Sequence, residues 1–390
     1  MNIIVFAHPT FLGHQSMPRY ANMIEKGMTD RGHSVEIWTA SPFFFKLPAP
    51  SSLKKWMGYI DQFLLFPIQV KSKLKKNAPN TLYVFSDHAL GPWIPLVSKK
   101  LHVIHCHDFL AQQSALGQIS ENSTGWSGKI YQKYIRQGFR KGSNFISISQ
   151  KTQVDLHYFL KKTPLFSEVI YNGLNQDFKP KNPNSIRQQL VKKLQLSLID
   201  GYILHVGGNQ FYKNRKGVIE IYTAWRRISN HSIPLLMVGN EPTEELKQLR
   251  KDSPFSLDIH FLTSINDELL QEAYQGATVL LFPSLAEGFG WPIVEAMASG
   301  CPVITTNEAP MTEVGGKAAY YLNRRPTDNK EVEKWATESA MVLDRLITLS
   351  DSDRQKLVNL SIENAQYFEP EKILDKIETI YKIIVENNSI

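Results

Sequence analysis

Twelve short runs of β-branched, aromatic and leucine residues recur along the chain, and their spacing restricts the fold more than any other feature. In the first half they are Asn2–Ala7, Ser34–Thr39, Thr81–Ser86, His102–His107, Asn144–Ser149 and Glu168–Asn172. The pattern restarts with Tyr202–Gly207, Pro234–Gly239, Asp258–Leu262, Thr278–Pro283, Pro302–Thr306 and Ala318–Leu322. Helix-length stretches separate the runs, so each half predicts a parallel sheet with helical crossovers, an α/β fold. Runs as apolar as Thr278-Val279-Leu280-Leu281-Phe282 suit strands covered on both faces.

A chain of 390 residues is too long for one ordinary core. The two halves are therefore expected as domains, 1–177 and 187–368. Phe178-Lys179-Pro180-Lys181-Asn182-Pro183-Asn184-Ser185 lies between them and has no hydrophobic period, which predicts a linker over 178–186. Residues 369–390 carry an amphipathic helix from about Glu371 to Val385, expected to pack back toward the N-terminal domain. Ligands of open α/β sheets bind beyond the carboxyl ends of the strands, so a cleft between the domains is the expected site.

The balance of 44 Lys and Arg against 37 Asp and Glu, net +7, suits anionic ligands. Without a zinc knuckle, an RNP-like aromatic box or a long basic helix, nucleic acid is not an expected partner. Cys106 and Cys301 are far apart and fit buried thiols in a reducing compartment. The N-terminus lacks a basic region ahead of an apolar run, and no stretch reaches the ~18 apolar residues of a membrane span. A cytoplasmic protein is expected. One segment, Ser52–Asn77, sets Trp56, Met57, Tyr59, Ile60, Phe63, Leu64 and Phe66 beside Lys71, Lys73, Lys75 and Lys76. That pattern fits either an interfacial anchor on an anionic membrane or an amphipathic helix packed on the first sheet.

The most informative motif is Glu287-Gly288-Phe289-Gly290-Trp291-Pro292-Ile293-Val294-Glu295-Ala296-Met297-Ala298-Ser299-Gly300. It follows a buried strand and opens a helix, with Pro292 suited to the first turn and Gly300 to the left-handed residue past the end. Backbone N–H groups from Gly288 to Trp291 and the positive end of the helix form an anion cradle suited to a diphosphate. Glu295, one turn in, would repel phosphate and instead accepts from ribose hydroxyls. Glu287 reaches hydroxyls of a transferred sugar. Taken alone, Glu295 is better read as complementing the helix dipole and Glu287 as a solvated loop residue; the surrounding pattern favours the ligand reading.

This stretch resembles the retaining glycosyltransferases of family four, the group 1 glycosyltransferases, which have the GT-B fold and share E-G-F-G-x-P-x-x-E-A-M-A-x-G. The resemblance extends over essentially the whole chain, more closely in the second half. It implies two Rossmann-like domains with parallel sheets facing a central cleft, the donor held mostly by the second and the acceptor by the first. It also implies transfer of a hexose from a nucleoside-diphosphate sugar to a saccharide, lipid-linked or small-molecule acceptor. No metal and no cofactor are demanded, the donor being a substrate.

A second constellation, Gly207-Gly208-Asn209-Gln210-Phe211-Tyr212-Lys213-Asn214-Arg215-Lys216-Gly217, joins a strand to a helix through a loop with three cations. The resemblance assigns the leaving-group charge to the cation before Gly217, which is Lys216. The family's arginine after the strand glycine is replaced by Gly208 and Asn209, leaving Lys213 or Arg215 to supply that charge. In the first half the resemblance picks His107 as a histidine on the donor sugar. His105, on the same strand face, and Ser86-Asp87-His88 lie near by. Rival readings are a sugar-nucleotide epimerase on the same fold and a glycoside hydrolase using Glu287 and Glu295.

Overall fold

The computed structural model describes residues 1–13, 16–174 and 176–387, and the side chains of Leu12 and Ser16 are outside that description. His14, which stands where the resembled family commonly shows a second glycine after Gly13, and Asn175, the end of the family-like segment Asn172-Gly173-Leu174-Asn175, lie outside the described residues. The chain divides into two compact units, Met1–Asn175 with Pro370–Ile390, and Gln176–Glu369.

The first unit holds β1 (Asn2–Phe6), β2 (Ser34–Trp38), β3 (Leu82–Phe85), β4 (His102–Cys106), β5 (Asn144–Ser147) and β6 (Phe166–Val169), all parallel, in the order β2-β1-β3-β4-β5-β6. β3, β4 and β5 are buried at every position, as their unbroken apolar character requires. β6 starts two residues earlier than its sequence run, because it pairs in register with β5 from Asn144↔Phe166 onward. One face of the sheet is covered by helix Ser16–Asp30 and the C-terminal helix Pro370–Glu386, through Tyr20, Ile24, Met28, Ile373, Ile377 and Tyr381. Arg31 bonds both Glu371 (2.8 Å) and Asp375 (2.7 Å), fixing the C-terminal helix there.

The other face is covered in part by a continuous helical stretch, Ser51–Ile60, a π-helical turn Asp61–Leu65, and Phe66–Leu74. Phe66 and Val70 are buried in this core, with the Phe66 ring 4.4 Å from that of Trp93. The reading of this segment as a helix packed on the sheet is therefore realised. Its remaining side is still apolar: Leu53, Trp56, Leu64 and Ile68 are all more than half exposed. Helix Trp126–Phe139 extends that apolar side. Tyr59 stacks on Tyr131, Phe63 meets Tyr134, and Trp126, Ile130 and Tyr134 are themselves exposed.

The second unit holds β7 (Ile203–Val206), β8 (Leu235–Gly239), β9 (Ile259–Thr263), β10 (Val279–Phe282), β11 (Val303–Thr306) and β12 (Ala319–Leu322). They form a second parallel sheet in the order β12-β11-β10-β7-β8-β9. Numbered within the unit, this is the Rossmann order 3-2-1-4-5-6. The expected linker over 178–186 is corrected. Phe178 is buried against Tyr274, and Pro183 opens helix Pro183–Leu194, which Asn182 caps by accepting from the N–H groups of Asn184 and Ser185. Asn-Pro here is a helix start, since Pro has no N–H to lose in a first turn and Asn supplies the cap.

Candidate active site

In each sheet the strand order reverses at one place, and the loops leaving the two strands there diverge to open a crevice. In the second unit that place is between β7 and β10, paired at Ile203↔Val279 and Leu204↔Leu280. The two loops that leave it are the two motifs singled out in the sequence, 207–214 and 283–290.

Three contacts tie these loops together. Asn214 donates from Nδ2 to the Pro283 carbonyl (2.9 Å), the Leu285 N–H donates to the Tyr212 carbonyl (2.7 Å), and Lys213 Nζ lies 2.7 Å from Glu287 Oε1. The ion pair is largely buried, with side-chain exposures of 16% and 8%, and the ammonium also sits 5.1 Å from the centre of the Phe282 ring. Asn214 adopts the left-handed conformation (φ 50°), which Asn tolerates through its short polar side chain. A Cβ on Gly217 would come within 2.5 Å of that side chain, so a larger residue there would have to displace Asn214 from the Pro283 carbonyl.

The left-handed turn decides which cation faces the crevice. Lys213, before it, points to Glu287. Lys216, after it, lies in the first turn of helix Arg215–Ile228 with its side chain 43% exposed, and Nζ is 3.8 Å from Glu245 Oε1. Lys216, to which the resemblance gives the leaving-group charge, thus faces Glu245, and it is Lys213 that the structure sets beside Glu287. Arg215 is buried at the same strand ends. Its Nη1 donates to Asn209 Oδ1 and to the Asn240 carbonyl, its guanidinium lies over the Phe261 ring, and Nε and Nη2 have no hydrogen-bond partner. Asn209 thus orients the arginine from the place after Gly208.

The helix that follows the glutamate loop runs Trp291–Ala298 and begins at Gly290, whose φ of 104° a side-chain-bearing residue rarely adopts. The Phe289 side chain is buried against Phe368, so any ligand contact from Phe289 is through its main chain. Glu295 is buried, and its Oε2 accepts from the Tyr274 hydroxyl at 2.8 Å. Burial first, and the Glu295 carboxylate second, push the Tyr274 phenol well above its ordinary pKa, so it stays a donor. Beneath the loops, burial brings His205 down to a pKa of about 3, and its Nδ1 donates to the Leu281 carbonyl.

The reversal in the first unit lies between β1 and β3. It too is bridged, here by a hydrogen bond: His8, just past β1, donates from Nε2 to Asp87 Oδ2, just past β3, at 2.9 Å. His88 Nδ1 lies 3.0 Å from the other oxygen without the alignment of a hydrogen bond. Burial works against the Asp87 charge, but His88 and His8 hold its carboxyl well below the usual range. His107 is buried beside this group. Its Nε2 donates to the Ser86 carbonyl (2.8 Å), which fixes the tautomer and leaves Nδ1 as the acceptor. Burial lowers its pKa, keeping it neutral. His105 sits between the hydroxyls of Tyr20 and Tyr381, each 2.8 Å away, and is a core residue with a pKa of about 3. His8 was legible only through its place just after the first strand. Among the described residues, no group of three or more His, Cys, Asp and Glu is arranged to hold a metal ion.

Residues 200–339, which include both loops of the second crevice, match the family model of glycosyl transferases group 1. Over that stretch the chain is similar to the group 1 glycosyltransferases. Among curated relatives it is 29% identical over 212 residues to the O-antigen chain mannosyltransferase B of Escherichia coli, a match covering 54% of this chain and 52% of that protein. The chain thus spans about half the length of that relative. Solved structures share the fold at low identity. Anabaena HepE in complex with UDP and glucose superposes with a TM-score of 0.70 at 16% identity, covering 98% of this chain and 99% of that one. Sucrose-phosphate synthase from Thermosynechococcus elongatus gives 0.73 at 16%, covering 99% and 100%. The architecture is that of GT-B proteins, two doubly wound α/β units.

Proposed function

We propose that the protein is a retaining hexosyltransferase that takes its sugar from a nucleoside diphosphate and requires neither a metal ion nor a cofactor. The Lys213–Glu287 pair across the β7/β10 crevice carries this reading. A diphosphate resting on the N-terminus of helix Trp291–Ala298 would compete for Lys213 and find the unpaired N–H groups of Arg215 near by. These preplaced charges stabilise the leaving group most when its negative charge develops. Glu287, relieved of Lys213, accepts from hydroxyls of the sugar, and Glu295, held by Tyr274, accepts from the ribose. In the first unit, His107 presents Nδ1 as an acceptor for a hydroxyl. The bond from the anomeric carbon to phosphate breaks as the bond to the acceptor oxygen forms on the same face. The acceptor proton passes to the departing phosphate oxygen, so no protein base is used.

The acceptor in this reading is a saccharide carried on lipid, met at an anionic membrane surface. Supporting it, the two helical stretches that expose Leu53, Trp56, Leu64, Ile68, Trp126 and Ile130 also carry, within or next to them, Lys54, Lys55, Lys71, Lys75, Lys129 and Lys133. The one acid of these two helical stretches, Asp61, is buried, where it accepts from the N–H groups of Phe44 and Phe45. No helix among the described residues is long and apolar enough to cross a membrane.

The deciding experiment incubates the protein with a panel of nucleotide sugars in a chelator, with and without lipid-linked saccharide. Nucleoside diphosphate should appear only with acceptor present. Release to water alone would favour a hydrolase, isomerised donor an epimerase, and an absolute need for magnesium or manganese would refute the metal-free reaction.

A further inference from the structure

The second sheet has another opening, at the ends of its strands opposite to the donor loops. A cavity of about 700 Å³ is lined there by residues that precede the strands, including Ile233, Thr278 and Pro302, and by Ile347 and Val358. Nothing in the transfer reaction uses this edge, and ligands of such sheets ordinarily sit at the other one.

Its polar groups are arranged for an anion. Arg187 donates from Nε to the Gly276 carbonyl (2.8 Å) and from Nη2 to Thr278 Oγ1 (3.2 Å). Arg354 donates from Nη1 to the carbonyl of the same Thr278 (3.0 Å) and from Nη2 to that of Leu346 (3.3 Å). Two guanidinium groups therefore converge on one residue, and all these bonds go to neutral oxygens. The two carboxylates of the lining, Asp200 and Asp351, bond to neither arginine. Burial, and for Arg187 the neighbouring Arg354 as well, press both below their ordinary pKa, with Asp200 and Asp351 offsetting only part of that.

Two further groups in the lining are buried and unsatisfied. Ser299 is 2% exposed and its Oγ has no partner; Gln275 is 6% exposed and its Oε1 has none, although its Nε2 donates to the Lys179 carbonyl. Such groups cost stability unless something completes them. The first turns of helices Pro183–Leu194 and Asp351–Ala365 also line the cavity, adding the positive ends of two dipoles, with Lys181 and His231 at its mouth.

We propose that this cavity is a second ligand site, taking a phosphorylated small molecule whose phosphate lies between Arg187 and Arg354 and whose hydroxyl-bearing body meets Gln275 and the apolar wall. Ser299 donates to the phosphate. The volume exceeds what a bare phosphate fills and falls in the range of metabolite sites.

Thermal unfolding tests this with inorganic phosphate and with glucose 6-phosphate, each against sodium chloride at matched ionic strength. A ligand tenfold above its Kd should raise the transition of the second unit by roughly 3–6 °C. Ser299→Ala removes an unsatisfied buried hydroxyl, so without ligand it should melt at or above the wild type, yet bind the probe at least about threefold more weakly. Arg354→Gln should abolish the shift; if it fails to fold, Ser299→Ala alone decides. Lys213→Ala, which empties the donor cradle of its cation, should leave the shift in place. Tighter binding of glucose 6-phosphate identifies a phosphorylated metabolite, and equal binding identifies free phosphate. No shift with either probe overturns the proposal. So does a shift lost in Lys213→Ala and unchanged in Ser299→Ala.

Discussion

Replacing Lys213 by alanine separates the two lysines of the cationic loop and tests the site as built. The Glu287 carboxylate, with its side chain 8% exposed, would lose its partner while remaining buried. Breaking a buried pair by removing one member costs about 3 kcal/mol, or roughly 6–12 °C in the melting of a unit this size. Replacing both, Lys213→Met with Glu287→Gln, removes the uncompensated charge and should recover most of that loss. For turnover the expected fall in Lys213→Ala is about 10²–10³-fold, the usual consequence of deleting a preorganised charge stabiliser. Lys216→Ala, by contrast, removes a half-exposed ammonium 3.8 Å from its partner. Surface pairs of that kind contribute about 0–1 kcal/mol, so both melting and turnover should stay near wild type. The assay is initial-rate release of nucleoside diphosphate, with denaturant unfolding in parallel. A tenfold or greater loss of turnover in Lys216→Ala, beside a nearly normal Lys213→Ala, would refute the role proposed for Lys213.

Glu295→Ala should weaken binding of the nucleoside diphosphate about tenfold by calorimetry, whereas Glu287→Ala should chiefly slow turnover; unchanged affinity in a folded Glu295→Ala would remove the ribose assignment. Stability should fall in mild acid. His105 and His205 are held neutral with folded pKa values of about 3 against an ordinary 6.5, so the unfolded chain binds the extra protons. Each contribution is complete above about pH 6.5 and is lost toward pH 3 at about 1.4 kcal/mol per pH unit, one in each unit. Denaturant midpoints that do not move between pH 7.5 and 5 would contradict this. Sedimentation with vesicles should show binding that needs anionic lipid and falls with salt, and Trp56→Ser with Trp126→Ser should weaken it. Equal binding to neutral vesicles, or none to either kind, would point to an acceptor in solution.

Much of this protein is written locally. Strands such as Val279–Phe282 are apolar throughout because both faces must be covered, and that composition is visible without a partner strand. The glutamate loop is legible for a similar reason: Gly290, Pro292 and Gly300 each satisfy a backbone demand within a few residues of themselves. Asn182-Pro183 was equally local, but the prolines around it suggested a linker when one of them was a helix start. What the chain order could not decide is direction. Lys213 and Lys216 are three residues apart, and only the left-handed turn at Asn214, held by the Pro283 carbonyl from another strand's loop, sends one into the crevice and the other to the surface. The His8–Asp87 bridge, the union of helix Trp126–Phe139 with the exposed side of the helix around Trp56, and the convergence of Arg187 and Arg354 on Thr278 join residues from 70 to 167 places apart along the chain. Strand order in the two sheets brought them together, and no local pattern encodes which strand will be whose neighbour.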